Sequence, residues 1–312
     1  MARRGTDGKH CVNELPGEIA AAIPAVAAIV APVLALAATG WLWVRAGWDY
    51  PLAFVTRLAM TLALPCLIFT ALVRTQVEPA ALAALTLASL AAYGGVLAAF
   101  WAIGAALGLD RRTFLPALAF GNTGNLGLPL ALFAFGETGL QLAVVVFAVM
   151  VVLSFTAGVW LVAGGGPPGR ALREPLVAAT LLGALFLWRG WDLPAPAMAT
   201  LDLLGQLAIP LMLITLGVAV ARLRPAGIGR SLALSVLKLV LCTAVAWAAA
   251  SAFGLGPTAS AVLVVQIGTP VAVTSYMLAL KYGADAEAVA GLVVTSTLLS
   301  VAALPLILAV LI

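Results

Sequence analysis

Phe120 to Pro129 reads FGNTGNLGLP and sits inside an apolar segment where a membrane-spanning helix would run unbroken. Asn122, Thr123 and Asn125 offer amide and hydroxyl donors and acceptors without the desolvation cost of a fixed charge. Gly121, Gly124 and Gly127 raise the entropic cost of a helix, and Pro129 cannot donate an amide to the preceding turn. A helix is expected to break here. In hydrocarbon a break leaves carbonyls of the first half and amides of the second half unanswered, each costing several kcal/mol. It survives where it is buried in protein or lines a wet cavity. At mid-membrane depth the half-helix ends then present partial charges to a ligand or ion. A lone proline would suit a plain kink; three glycines and two asparagines within a few residues favour a binding site.

A second polar interruption, Gln266 to Pro270 (QIGTP), lies in a later apolar segment. Thr269 followed by Pro270 reads as an N-cap with proline at the first helical position, and Gly268 supplies the bend. In the first stretch the new helix is expected to restart between Asn125 and Leu128, with Pro129 in or near its first turn. If the two breaks cross, two helix N-termini and two C-termini meet in a small volume, which suits either sign of charge. Asn122, Thr123, Asn125, Gln266 and Thr269 fit a carboxylate, and their oxygens also fit a sodium ion.

No Asp or Glu falls in the middle of an apolar segment; Glu137, Asp202, Asp285 and Glu287 lie near ends. Lys238 is the one charge well inside, eight residues past Arg230, or about 12 Å along a helix. It is read either as a countercharge for an anionic substrate or as an anchor that snorkels to the interface. Tyr93, Gln141, Ser154, Gln206, Ser275 and Tyr276 read as helix-to-helix hydrogen-bonding partners rather than ligands. The only histidine, His10, is in the N-terminal tail, and Cys11, Cys66 and Cys242 have no paired spacing. No serine–histidine pair, metal-ligand cluster or paired carboxylates occur within the apolar segments, so an enzyme, a metal site and a bound cofactor are not expected.

The elements that hold these residues follow from composition. The 312 residues are 64% hydrophobic and 9% charged, with a mean hydropathy of +1.16, far from the balance of a soluble domain. At about 20 residues per span the chain holds about ten helices, an all-α polytopic membrane protein. Nucleic acid binding is not implied. The spans are expected near 19–44, 53–73, 80–107, 114–135, 140–162, 175–188, 201–221, 228–253, 259–280 and 286–312. This divides the chain into a polar tail (1–18), a first five-helix repeat (19–163), a linker (164–173) and a second repeat (174–312). LALPCLIFT, Leu62 to Thr70, aligns with LAIPLMLIT, Leu207 to Thr215, and ALFAFG ending at Gly136 aligns with LALKYG ending at Gly283. Five spans per half is odd, so the repeats are inverted, with discontinuous helices 4 and 9 in corresponding positions, the pattern of a secondary transporter's binding site. Basic residues collect on one set of connections: Arg45, Arg57, Arg111, Arg112, Arg170, Arg173, Arg222, Arg224, Arg230 and Lys281, against Arg74 and Arg189 on the other; the tail is the exception, with Arg3, Arg4 and Lys9 partly offset by Asp7, Glu14 and Glu18. That bias makes 164–173 cytoplasmic and puts both termini outside.

GNTGNLGLPLALFAFG in the fourth span, LALP in the second and GTP in the ninth together resemble the auxin efflux carrier family in its bacterial form, over nearly all ten spans. The resemblance implies a scaffold of helices 1, 2, 6 and 7, a moving transport unit of helices 3–5 and 8–10, a homodimer in the plasma (inner) membrane and elevator-like alternating access. It also carries the family's motif asparagines onto Asn122 and Asn125 and its crossover proline onto Pro270. Plant relatives export auxin, an indole carboxylate, and bacterial relatives are associated with malate, malonate and similar acids. The long cytoplasmic loop of many plant members is absent here, as are the acidic sodium-site residues of the related bile-acid symporters. The reading is a carrier of a small organic acid, with proton or sodium coupling left open; a non-transporting receptor for such a ligand and a sodium-coupled symporter are the alternatives.

Overall fold

The computed structural model describes residues 15–75, 77–165, 174–223 and 227–311. His10, Cys11, Arg170, Arg173 and Arg224, most of the expected tail and nearly all of the expected linker lie outside the described residues. Among the described residues the chain is helical throughout and has no strand; a single isolated bridge pairs Gly121 with Val271.

Helix α1 (Leu15–Arg45) is followed by α2 (Leu52–Leu58), which passes through a π-helical turn at Ala59–Ala63 into α3 (Leu64–Val73). Then come α4 (Pro79–Ala106) and α5 (Arg111–Ala119); a π-helical turn at Thr123–Gly127 leads into α6 (Leu128–Leu153), and another at Ser154–Gly158 into α7 (Val159–Ala163). The remainder is α8 (Pro175–Arg189), α9 (Ala195–Gln206), α10 (Ala208–Arg222), α11 (Ile228–Ala252), α12 (Pro257–Ile267), α13 (Val273–Tyr282) and α14 (Ala286–Leu311). Seven helical stretches are long and apolar enough to cross a membrane, and α8 and α12 are shorter apolar helices. One of the seven, Thr123–Ala163, folds back at Gly136, whose φ of 64° and ψ of −157° only glycine adopts without strain. It therefore forms two arms, and the reversal falls between the expected fourth and fifth spans.

Small residues set which helices approach closely. Helix α1 lies along α10, and a Cβ at Gly40 or Gly217 would run into the backbone carbonyl of Ile214 or Ala37, so the two backbones touch. Helix α3 lies against α8 and α9, and Gly183 and Gly205 leave the room for it. A second group forms around α11, which packs on α4, α12 and α14, while α6 packs on α12.

Polar contacts tie this second group together. The Arg112 guanidinium donates to the carbonyls of Val162 (3.0 Å) and Tyr282 (2.8 Å), at the ends of α7 and α13. Asp110 caps α5 through the amides of Arg112 and Thr113, and the Thr113 hydroxyl in turn accepts the amide of Asp285. Arginine stacked on tryptophan marks helix borders at Arg45–Trp41, Arg111–Trp101 and Arg189–Trp188.

Candidate functional site

The two interrupted helices meet where the sequence breaks them. After Ala119 the backbone of Phe120 is extended, Gly121 pairs with Val271, and the Asn122 amide donates to the Pro270 carbonyl at 2.7 Å. The glycines serve this close approach as much as they break the helix. A Cβ at Gly121 would strike the Thr269 hydroxyl, one at Gly127 the Gln266 amide, and one at Gly124 would lie 3.1 Å from the Phe147 ring.

Helix resumes at Thr123, earlier than expected, because the Asn122 carbonyl accepts the amides of Leu126 and Gly127. Pro129 falls in the first turn of α6. The second break differs from its expected form. Thr269 does not cap an outgoing helix: its hydroxyl donates to the Gln266 carbonyl at 2.7 Å and closes the incoming α12. Pro270 is not a first helical residue, since α13 begins only at Val273. The cause is pairing across the crossing. The Pro270 carbonyl takes the Asn122 amide and the Val271 amide donates to the Ser296 hydroxyl (2.9 Å), which holds this segment extended.

Asn125 borders two cavities. One, of about 540 Å³, runs from Asn125 past Thr56, Thr215 and Thr274 to Arg222 and Lys281, with no carboxylate on its wall among the described residues. The other, of about 250 Å³, has Asn122 and Asn125 at one end and Phe147, Met150, Phe155 and Leu278 along its sides, with Glu174 also on the wall. Asn122 is 4% exposed. Its Nδ2, the Thr123 hydroxyl and both side-chain amide atoms of Gln266 have no hydrogen-bond partner among the described residues. Buried donors without partners are rare and costly, so the unpartnered Asn122 side-chain Nδ2 on a cavity wall marks a place for an acceptor. Gln266, Thr269 and Pro270 stand behind the crossing and shape it.

A third cavity, of about 460 Å³, is lined by Thr70, Arg74, Glu137, Gln141, Asp202, Gln206 and Pro210. Arg74 and Asp202 form an ion pair there. Helix α10 has Pro210 in this cavity and Arg222 in the first, roughly 18 Å apart along the helix axis. The two cavities therefore open at opposite ends of the same helices, with the crossing between them.

Lys238 does not snorkel. It is 1% exposed, and its ammonium donates to the Leu118 carbonyl at 2.9 Å, beside the Cys242 sulfur at 3.8 Å. It lines none of the three cavities. Ser154, Ser275 and Tyr276, expected as helix-to-helix partners, border the two cavities at Asn125. Phe147, Met150 and Thr274 border them too, and their apolar or helix-compatible types carry no signal of a cavity wall in the sequence. Among the described residues no group of three or more His, Cys, Asp or Glu is placed to hold a metal ion.

Comparison with known proteins finds a family and several relatives. The family profile described as "Membrane transport protein" matches residues 25–170 and 168–308. A protein of Rhizobium meliloti (strain 1021) named "Putative malonate transporter" is 30% identical over 303 residues, covering 89% of this chain and 93% of the relative. An "Uncharacterized transporter" of Methanothermobacter thermautotrophicus is 27% identical over 263 residues, 81% of this chain and 86% of its own.

Proposed function

Because this multi-pass membrane chain belongs to the membrane transport protein family, that of the auxin efflux carriers, we propose that it is a secondary transporter of a small organic anion, a mono- or dicarboxylate. The carboxylate binds at the crossing, where Asn122 and Asn125 orient it. The observation that carries this reading is the buried, unpartnered Asn122 Nδ2 on the wall of a cavity that Asn125 joins to a second one with a basic mouth. Two more features support an anion: the amides of the π-helical turn at Thr123–Gly127 begin a helix at the site, and Arg222 and Lys281 raise the local concentration of negative solutes. Thr123, Gln266, Thr269 and Pro270 hold the shape of the crossing.

The carrier works by elevator-like alternating access. Ten transmembrane helices form two inverted five-helix repeats, the halves of Thr123–Ala163 about Gly136 being two of them. The packing of α1 on α10 and of α3 on α8 and α9 supports a scaffold of α1–α3 and α8–α10, against which α4–α7 and α11–α14 move as one body held by Arg112. Cavities at both ends of α10 support exposure of the crossing to either side in turn. The basic residues at the larger one support a mouth on the cytoplasmic side of the plasma membrane, with both termini on the opposite side. Two copies form a homodimer through their scaffolds.

The test is uptake of labelled malonate, malate and indole acetate into proteoliposomes by the wild type and by Asn125→Ala. Flux of one acid that Asn125→Ala abolishes, with the variant's thermal unfolding unchanged, is expected. Equal flux in the variant would remove the crossing as the binding site, and binding of an acid without flux would favour a receptor.

A further inference from the structure

A fourth cavity, of about 200 Å³, is a groove between α1, α10 and α14 that reaches Leu126, the neighbour of Asn125. Its wall is apolar save for Thr297 and Ser300, and no charged residue among the described ones lines it. Val33, Leu130 and Leu304 on this wall are buried, whereas Leu34, Leu298 and Val301 are exposed, so the groove is closed towards the protein and open towards the bilayer. Such a surface leaves a charged solute without partners and suits a hydrocarbon chain. From Val30 to Trp41 the groove follows α1 for roughly 16 Å. One leaflet supplies about the same depth, half of the ~30 Å hydrocarbon core.

The end of the groove at Trp41 gives its occupant a charge. The guanidinium of Arg45, in the last turn of α1, lies over the Trp41 ring, 4.8 Å from its centroid, and Arg45 is exposed. The one ion pair among the described residues is Arg74–Asp202, so no carboxylate among them takes Arg45. Arg111 and Arg189 stack in the same way on Trp101 and Trp188, but neither of those rings borders this groove.

We propose that the groove binds one acyl chain of an anionic phospholipid whose phosphate is held by Arg45. The guanidinium fork matches phosphate oxygens, and an indole at a helix border sits at headgroup level. The walls belong to two groups of helices: α1 and α10 on one side, α14 with Leu126 and Leu130 on the other. On the division into scaffold and moving body proposed above, the lipid is a wedge between the two. It binds this arrangement in preference to any that narrows the groove, and so slows the exchange between them. The effect on movement rests on the transport reading; the binding does not.

The test is native mass spectrometry of the purified full chain with phosphatidylglycerol or phosphatidylcholine of the same acyl composition. The wild type is expected to retain one phosphatidylglycerol per protomer in preference to phosphatidylcholine. Arg45→Gln is expected to weaken that retention about fivefold, the order of one basic residue at an anionic surface, and Arg111→Gln to leave it unchanged. Ala38→Phe puts a ring into the groove from an exposed position and is expected to abolish it. Equal retention of the two lipids by the wild type, or equal loss in Arg45→Gln and Arg111→Gln, overturns the inference. So does a disulfide between two copies carrying Ala38→Cys in a background lacking Cys11, which would assign this face to a second copy. In proteoliposomes, raising the phosphatidylglycerol fraction is expected to slow wild-type flux more than that of Arg45→Gln; equal slowing overturns the effect on movement. Selective retention with no flux of any acid upholds the lipid site and removes the transport reading.

Discussion

At the scale of single residues the crossing is a problem of clearance. Gly121 and Gly127 admit a hydroxyl and an amide where a methyl group would collide, whereas Gly94 in α4 faces open space. Gly121→Ala is therefore expected to lower stability by about 1–3 kcal/mol through overpacking and to abolish flux. Gly94→Ala should change stability by no more than about 1 kcal/mol, in the stabilising direction. Thermal unfolding of the purified variants checks both, and equal behaviour of the pair would contradict the contact described. The position of the break was legible in the sequence because glycine, asparagine and proline act locally. The roles of Thr269 and Pro270 were not, because an extended Pro270 depends on the Asn122 amide and the Ser296 hydroxyl, neither of which is near it in the chain. Lys238 was ambiguous for the same reason: its partner, Leu118, is 120 residues away.

At the scale of helices the ends matter more than the middles. Burial raises the carboxyl pKa of Asp110, but hydrogen bonds from the Thr113 hydroxyl and from the amides of Thr113 and Arg112, with the Arg112 charge, more than offset it and hold it below the usual carboxylate value. A carboxyl depressed in the folded state contributes stability above its unfolded pKa and loses it as pH falls through the lowered folded value. Wild type is accordingly expected to lose stability on acidification below about pH 4, and Asp110→Ala to lack that component and be weaker by about 1 kcal/mol at neutral pH. Unfolding temperatures across an acid pH series measure it; parallel curves for the two proteins would count against the cap. Arg112→Met removes the donor to two helix ends at once and is expected to cost about 1–3 kcal/mol. It should loosen α7 and α13 together, visible as faster amide exchange in both. Helix bounds were readable to within a few residues for most elements from apolar run length and terminal Gly, Pro and Arg. The π-helical turns were not, since nothing in Ala59–Ala63 or Ser154–Gly158 distinguishes them from helix by composition.

At the scale of the whole molecule the two large cavities lie at opposite ends of α10. In a background lacking Cys11, Lys281→Cys and Glu137→Cys are expected to react with an impermeant thiol reagent from opposite sides of the membrane. Labelling of both from one side would exclude the two-mouth arrangement. The aligned LALP and LAIP segments coincide with two departures from regular α-helix, a π-helical turn just before Pro65 and an interruption at Leu207 before Pro210. The cavities themselves were hidden, because their walls are ordinary apolar helix residues until the bundle closes around them.

The Gly121–Val271 bridge also has a consequence for biosynthesis. Its two sides are separated by about 150 residues of chain, which a ribosome adding about 5–20 residues per second takes roughly 8–30 s to supply. Throughout that interval the Asn122 amide and its neighbours are already made while their partners are not. The first half of the crossing is therefore complete before its partners exist. Nascent chains halted before Val271 are expected to be cleared by membrane proteases faster than chains halted after Gly283, and a pulse-chase of the two truncations measures the difference.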